Sequence, residues 1–370
     1  MELSYWEYRT WLSNVDFTIV GSGIVGLTTG IQLRKRFPKA KILILEKGIL
    51  PQGASTKNAG FACFGSASEI LSDLKNHSEE EVLKLAQQRW DGIQELRALL
   101  GDSALQFEQN GGHELFLERD KLLFDNCYEK LPMLNALLLS VFKEEAFGIS
   151  KNTFGFKGVN DLYITQKHEG QINTGAMMEG LLGVAQKEKI TILNGISVDE
   201  FSNQEGEVVV KTNQFEFKTK KLFITTNGFA SQLLEENVKP ARAQVLVTKP
   251  ILNLKIKGTF HFDEGYYYFR NIDNRILFGG GRNLDYKAEE TSEFGKTEVV
   301  QNELYRLLKE VILPNTDFEI ERSWSGIMGV GSKKKPIIKQ VSNNVFCGVR
   351  LGGMGIAIGS LVGKELARLP

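Results

Sequence analysis

Residues 17–26 read FTIVGSGIVG, an apolar run that ends in glycines at positions 21, 23 and 26. An apolar helical pattern follows to about Arg36, where Phe37-Pro38 stops it. A second apolar run, KILILE, covers residues 41–46. A strand, a glycine turn, a helix and a second strand within about 30 residues predict a βαβ unit with parallel strands.

Each glycine of this turn has a mechanical role. The first allows the tight turn, the second lets a phosphate approach the backbone, and the third lets helix and strand pack closely. The following helix offers free N–H groups and a positive dipole end to phosphates. Glu46 lies about 20 residues after Gly26, the spacing of an acid that accepts ribose hydroxyls and disfavours a 2′-phosphate. The pattern predicts a dinucleotide site formed by Gly21, Ser22, Gly23, Ile24, Val25, Gly26, Glu46 and Lys47.

The glycine motif leaves open whether the dinucleotide carries nicotinamide or flavin, and two later segments bear on this choice. Residues 53–60, GASTKNAG, form a loop of small residues, and residues 347–355, CGVRLGGMG, open the last helix. A second glycine-rich helix start can direct N–H groups at an electron-rich ligand atom. A reduced flavin carries such charge near N1 and the C2 carbonyl, so these segments favour a flavin.

The composition bears on several classes of protein. Lys+Arg and Asp+Glu each number 45 in 370 residues, so the formal net charge is +0, which disfavours a nucleic-acid partner. Cys63, Cys127, Cys347 and the histidines are scattered, so neither a disulfide framework nor a metal site is predicted. The N-terminus lacks a signal-peptide pattern, and no apolar run reaches the roughly 18 residues of a membrane span. We therefore predict a soluble cytoplasmic protein.

Dinucleotide-type signals lie at both ends of the chain and near residue 222, and the segments between them differ in character. Residues 107–117 resemble a hairpin, and residues 121–147 have a helical pattern with a break expected at Pro132. Several strand-like stretches occupy residues 241–281. This arrangement predicts two interleaved domains.

Further elements follow in a fixed order: LEK at 45–47, GASTKNAG at 53–60, TTNG at 225–228, PARAQV at 240–245, GYYYFR at 265–270, WSG at 324–326 and the glycine-rich residues 348–359. With these elements the sequence resembles the FAD-dependent oxidoreductases of the D-amino-acid oxidase type, which include glycine oxidase and sarcosine oxidase. The resemblance extends from about Phe17 to Leu369.

The resemblance implies an α/β fold with a doubly wound FAD/NAD(P)-binding domain of Rossmann type. A second, α+β domain built on a large antiparallel sheet covers the flavin. The implied FAD-binding domain comprises residues 14–78, 160–236 and 336–370. The substrate domain comprises 79–159 and 237–335, and residues 1–13 form an N-terminal helical extension.

The resemblance also implies an activity and a set of cofactor contacts. The family oxidises a C–H bond beside an amine nitrogen by hydride transfer to flavin N5, and oxygen or another acceptor then takes the electrons. No cysteine lies near Met328, where sarcosine oxidase-type members attach the flavin, so non-covalent FAD is expected. Besides the glycine turn, the implied cofactor residues are Ala54, Ser55, Thr56, Asn58, Ala59, Gly60, Val198, Thr226, Asn227, Gly228, Gly326, Arg350, Gly352, Gly353, Met354, Gly355 and Ile356.

The substrate side departs from the glycine oxidase pattern. Tyr266 matches a tyrosine that bonds the substrate carboxylate there, and alternation places Tyr268 on the same strand face. Met328 stands where those members have a carboxylate-clamping arginine, and methionine cannot form that bidentate contact. Arg350 is the first candidate to replace the clamp, so Tyr266, Tyr268 and Arg350 are the predicted substrate residues. Other arginines that could replace it are Arg270 and Arg282.

Several alternatives remain open at this point. The same flavin could oxidise a 2-hydroxy acid, and a less favoured hypothesis is a flavin module acting on modified tRNA. Cys63 follows the small-residue loop and is either a buried filler or a flavin contact. We predict a small-molecule substrate, and oxygen, a quinone or an electron carrier as acceptor. The substrate, the acceptor and the oligomeric state are not determined by the sequence.

Overall fold

The computed structural model describes residues 2–370, which fold around two eight-stranded sheets. The strands are Val15–Val20 (β1), Ile42–Glu46 (β2), Phe61–Ala62 (β3), Gly112–Glu114 (β4), Phe147–Lys151 (β5), Leu162–Gln166 (β6), Gly170–Gln171 (β7), Thr191–Asn194 (β8), Val198–Gln204 (β9), Glu207–Thr212 (β10), Glu216–Ile224 (β11), Lys239–Thr248 (β12), Thr259–Phe262 (β13), Tyr267–Ile272 (β14), Arg275–Gly280 (β15), Ile320–Val330 (β16), Ile337–Ser342 (β17) and Val345–Val349 (β18).

Helices cover the sheets and connect their strands. The α-helices are Tyr5–Glu7 (α1), Ile24–Arg36 (α2), Ala67–Leu74 (α3), Glu79–Leu100 (α4), Asp102–Leu105 (α5), Lys121–Phe142 (α6), Thr174–Lys187 (α7), Tyr286–Glu289 (α8), Glu298–Leu307 (α9) and Gly355–Leu366 (α10). π-Helical turns at Tyr8–Leu12 and Leu308–Ile312 continue α1 and α9. Within residues 2–370, no helix combines the length and the apolar character needed to cross a bilayer.

The first sheet has the order β17-β18-β11-β1-β2-β8, and the β9–β10 hairpin is attached to β11. Strands β18, β11, β1, β2 and β8 run parallel to one another. Every residue of β2 is buried, as expected for a parallel strand that helices cover on both faces. Because parallel strands end at the same edge, the chain leaves β1, β2 and β11 beside the glycine turn.

Helix α4 packs closely on α10, the helix that follows strand β18 of the first sheet. A Cβ atom at Gly92 of α4 would overlap the carbonyl oxygen of Ala357 in α10. Val82, Ile93 and Leu96 of α4 share one hydrophobic core with α2, α7 and α10. The domain boundary at residue 79 stays a prediction, and α4, which follows it, buries its apolar face against α2, α7 and α10.

The second sheet has the order β16-β12-β15-β14-β13-β4-β6-β5, and it is antiparallel except between β13 and β4. Its strand β6 lies within residues 160–236, which were predicted to belong to the FAD-binding domain, and these bounds stay a prediction. The hairpin predicted at 107–117 is wrong. Strand β4 pairs with β13 and β6, and Glu108 exchanges backbone hydrogen bonds with Gln171.

Helix α6 continues through Pro132, so the predicted break is wrong, and the helix ends at Phe142. Pro132 is exposed, and the missing N–H leaves a main-chain carbonyl one turn earlier on the solvent side. Water can satisfy that carbonyl, so a proline on this face is tolerated.

Candidate functional site

A large cavity of about 1560 Å³ lies where the carboxyl edge of the first sheet meets the second sheet. The first sheet contributes the glycine turn and the ends of β1, β2 and β11. The second sheet contributes residues of β12, β13, β14 and β16. Both predicted halves of the site therefore face one shared space.

The glycine turn leaves no room for side chains. Gly21 has φ +102, and a Cβ there would lie 3.3 Å from the Thr225 carbonyl oxygen. A Cβ at Gly26 would overlap the Gly21 carbonyl oxygen. The Ile24 N–H at the start of α2 donates to Ser55 Oγ over 3.0 Å, so the helix N-terminus faces the small-residue loop. This bare turn beneath a helix N-terminus fits a pyrophosphate.

Glu46 is buried at the end of β2 and is held from two sides. Its Oε2 accepts from the Ser22 N–H (3.0 Å) and the Ser22 hydroxyl (2.7 Å), and Oε1 accepts from the Gly48 N–H (3.0 Å). The Gln52 N–H also donates to Oε1, over a longer 3.4 Å. Because a carboxylate has about four acceptor positions, a ribose hydroxyl would take the place of this weakest donor. Glu46 itself lines the cavity, which fits its predicted role.

The loop at 53–60 is organised by Asn58. Its amide nitrogen donates to the carbonyls of Ala54 (3.2 Å) and Ser55 (2.9 Å). Its Oδ1 accepts from the Gly60 N–H and from the Thr174 hydroxyl, both at 2.8 Å. Asn58 thereby fixes the loop in the cavity wall.

The glycine-rich turn before α10 is held by a second asparagine. Asn227 Oδ1 accepts from the Leu351 N–H at 3.1 Å, and the Gly352 N–H donates to the Gly329 carbonyl at 2.9 Å. Arg350 has φ 65 and lines the cavity, but its guanidinium donates to main-chain carbonyls. Those carbonyls are Lys335 O, at 3.0 and 2.9 Å, and Asn237 O, at 3.2 Å.

Most predicted cofactor residues meet at the large cavity. They are Gly21, Gly23, Ile24, Val25, Glu46, Lys47, Ala54, Ser55, Asn58, Ala59, Gly60, Val198, Thr226, Asn227, Gly326, Arg350, Gly352, Gly353, Met354, Gly355 and Ile356. Four others do not line the cavity. Ser22 holds Glu46, Gly26 closes the turn, Thr56 donates to the Pro51 carbonyl, and Gly228 packs on the Met328 backbone.

The three successive tyrosines alternate between the cavity and the core, as predicted. Tyr266 and Tyr268 line the cavity, whereas Tyr267 stacks on Phe262 in the core, with ring centroids 5.0 Å apart. Burial raises the pKa of Tyr268 to about 12, so its hydroxyl stays protonated and can donate. Met328 also lines the cavity.

The arginines proposed as substitutes for the clamp differ in position. Arg282 lines the cavity with its guanidinium carbon 4.9 Å from the centroid of the Tyr286 ring. Arg270 is buried and does not line the cavity, and burial lowers its pKa to about 10. Among these two, the structure brings only Arg282 to the site.

Cys63 lies in the cavity wall beside Met354, with the two sulfur atoms 3.5 Å apart. Burial, reinforced by the nearby Glu169, raises the pKa of this thiol well above its ordinary value, so it remains a neutral thiol. All three cysteines are free and buried.

Several cavity residues were not predicted from the sequence. They include Phe61, Glu69, Arg89 and His261. His261 is one of four scattered histidines, and no spacing in the sequence relates it to the glycine motifs. Only the pairing of β13 with β14 places it next to Tyr268.

Comparisons with known proteins agree with this geometry. The family model described as "DAO: FAD dependent oxidoreductase" matches residues 16–369. A probable oxidoreductase OrdL of Haemophilus influenzae is 18% identical and covers 97% of this chain and 83% of its own. The sarcosine oxidase subunit beta of Rhizobium meliloti is 22% identical and covers 87% of this chain and 76% of its own.

Solved structures show the same fold. L-proline dehydrogenase from P. horikoshii superposes with a TM-score of 0.75 at 17% identity, covering 96% of this chain and 93% of its own. Glycine oxidase from Geobacillus kaustophilus has a TM-score of 0.72 at 19% identity, covering 94% and 92%.

The sequence-based predictions of the fold class, the enzyme class and FAD are confirmed. A match over residues 16–369 shows that the chain belongs to the DAO family of FAD-dependent oxidoreductases.

Proposed function

We propose that this chain oxidises the C–H bond beside an amine nitrogen in an amino acid, an imino acid or a secondary amine. FAD, held non-covalently, supplies the hydride acceptor at flavin N5. Support comes from the relatives named sarcosine oxidase subunit beta and glycine oxidase, which are each 22% identical to this chain.

The observation that carries the proposal is the continuity of one cavity. The glycine turn and Glu46 lie in the same space as Tyr266 and Tyr268 on the opposite sheet. A dinucleotide held by the first wall would share this space with a small molecule held by the second. Proximity of this kind is the main contribution that a protein makes to cofactor chemistry.

The tyrosines and Arg282 orient the substrate in this proposal. Tyr266 and Tyr268 donate hydrogen bonds to a polar group, and Arg282 supplies a cation near them. Arg350 shapes the flavin-binding turn, because carbonyl oxygens already accept from its guanidinium. Met328 leaves the substrate without the bidentate clamp of glycine oxidase-like members, which favours substrates other than simple α-amino acids.

The test is anaerobic bleaching of the flavin band of the FAD-loaded protein. Pools of amino acids, secondary amines, polyamines and 2-hydroxy acids are added separately. Bleaching by an amine-bearing pool, and not by hydroxy acids, supports the proposal. Bleaching by hydroxy acids alone would contradict it, and so would an unchanged spectrum with every pool. Reoxidation with oxygen, compared with a quinone, then identifies the acceptor class.

A further inference from the structure

His261 lies between two cavities. It lines the large cavity and also a second cavity of about 10 Å³ on its other side. Its Nε2 is 3.3 Å from Oε2 of Glu169, and both side chains are buried. The T-shaped contact of Phe61, with ring centroids 5.2 Å apart, restricts the imidazole further.

Glu169 is fixed in turn by the main chain. Its Oε1 accepts from the Phe64 N–H at 2.9 Å, which leaves Oε2 for the histidine. Because Nε2 is engaged, Nδ1 is the ring nitrogen available to a molecule in the large cavity. No residue in the range 2–370 bonds this nitrogen. A histidine oriented by a buried carboxylate, with its second nitrogen open to a reaction space, is the usual arrangement of a general base.

The second cavity connects this pair to another carboxyl group. Glu114 and Gln166 line it together with Glu169 and His261. The amide nitrogen of Gln166 is buried and lacks a partner among the described residues. A volume of about 10 Å³ is close to what one water requires, and the polar lining offers that water its partners.

Glu114 can hold a proton near neutral pH. Burial raises its pKa to about 7, although Ser66 donates to it at 2.9 Å and both the N–H and the hydroxyl of Ser68 also donate. His261 therefore has a reaction space on one side and a titrating carboxyl group on the other.

We propose that His261 is a catalytic base that takes a proton from the substrate's ammonium nitrogen, with Glu169 as its positioning residue and Glu114 as a proton store. This inference rests on the proposed amine oxidation. In the step, one N–H bond of the substrate breaks and an N–H bond forms at His261 Nδ1. The electron pair of the broken bond stays on the substrate nitrogen, and nothing is oxidised or reduced. The free amine is then the species from which hydride can leave carbon.

The titratable groups around His261 are Glu69 of α3, His113 and Glu114 of β4, Tyr268 of β14, and Glu169. Burial alone would lower the pKa of His261, but Glu169, followed by Glu69 and Glu114, raises it above the ordinary value of 6.5. A histidine with a raised pKa accepts a proton only once it has lost its own. Cofactor reduction should therefore speed up as pH rises through that pKa.

The experiment measures the limiting rate of anaerobic cofactor reduction by a reactive amine against pH. Wild type is expected to show one ionisation above pH 6.5. His261→Asn and His261→Gln should remove it and slow reduction by about 100-fold, the lower range for general-base catalysis. Glu169→Gln should move this ionisation to lower pH, because the carboxylate charge that raises the pKa of His261 is gone. His113→Asn is the matched control, since this buried histidine bonds Thr165 and lines neither cavity.

Histidine titration by NMR gives a readout without turnover, and the chain has only four histidines to assign. The His261 signal should titrate above 6.5 in wild type and lower in Glu169→Gln. An unchanged pH profile and rate in folded, FAD-loaded His261→Asn or His261→Gln would overturn the proposal, as would an unmoved His261 titration in Glu169→Gln. If no amine reduces the wild type, the proposed function fails and takes this inference with it.

Discussion

The two walls of the large cavity are made of different parts of the chain. The first sheet supplies main chain: a glycine turn too crowded for side chains, an organised loop at 53–60, and a second glycine-rich turn before α10. The second sheet supplies side chains such as Tyr266, Tyr268 and His261. A wall of main chain depends on short sequence patterns. A wall of side chains depends on which distant strands pair.

We expect the largest effect, a loss of protein stability, from a substitution behind the wall of side chains. Glu289 is buried and accepts from Arg242 (2.7 Å), Gln244 (2.8 Å) and Thr297 (2.9 Å). Glu289→Gln leaves the Arg242 cation without its partner, so the free energy of unfolding should fall by about 3–5 kcal/mol. Chemical unfolding measures it. The exposed Glu290, paired with Lys239, is the control, and Glu290→Gln should cost less than about 1 kcal/mol. Equal losses of unfolding free energy in Glu289→Gln and Glu290→Gln would contradict a stabilising role for the hydrogen bonds around Glu289.

A second test of the side-chain wall is the change in the free energy of unfolding with pH, as Glu114 gains or loses its proton. Burial raises its folded pKa to about 7 from 4.5, so between these values the folded state holds a proton that the unfolded chain has lost. The free energy of unfolding should therefore fall as pH rises from 4.5 to 7, by about 3 kcal/mol in total. Glu114→Gln should lack this fall when unfolding is measured at pH 5 and pH 8. Glu118 is exposed, so Glu118→Gln should keep this fall. If the free energy of unfolding changes equally with pH in wild type and both variants, Glu114 titrates normally.

The main-chain wall is tested by adding one methyl group. Gly26→Ala places a Cβ against the Gly21 carbonyl, so the turn must open and FAD affinity should fall by about 100-fold, within the range for overpacking. Gly183→Ala in α7 is the control, because no atom lies within 4 Å of its added Cβ and Gly183 does not line the cavity. FAD titration followed by flavin fluorescence compares the variants. Normal FAD affinity in Gly26→Ala would mean that the turn does not hold the pyrophosphate.

We expect the smallest effect, a rise in the KM for the substrate, when a single hydroxyl is removed from the side-chain wall. Tyr266→Phe removes a donor from the cavity, and the KM for a reactive amine should rise about 10-fold while FAD binding is unchanged. Tyr267→Phe, whose ring lies in the core, should leave KM unaltered. If both variants keep the wild-type KM, the Tyr266 hydroxyl does not contact the substrate.

The same contrast explains what could be predicted from the sequence. The glycine turn, Glu46 and the loop at 53–60 were predictable because their geometry is set by residues close together in the chain. The hairpin at 107–117 was wrong because β4 pairs with β13, more than a hundred residues away. His261 and Glu169 could not be predicted for a similar reason, since long-range pairing and packing bring them together. The break at Pro132 was wrong because this proline lies on the exposed face of α6, which the sequence pattern did not show and where water can satisfy the freed carbonyl.

The most direct measurement is stopped-flow reduction of the FAD-loaded protein by an amine substrate from the bleaching pools, with and without deuterium on the carbon beside nitrogen. Loss of the flavin absorbance should slow clearly on deuteration, and the matching 2-hydroxy acid should leave the spectrum intact. A flavin reduced by hydroxy acids and not by amines would contradict C–H oxidation beside nitrogen as the function of this cavity.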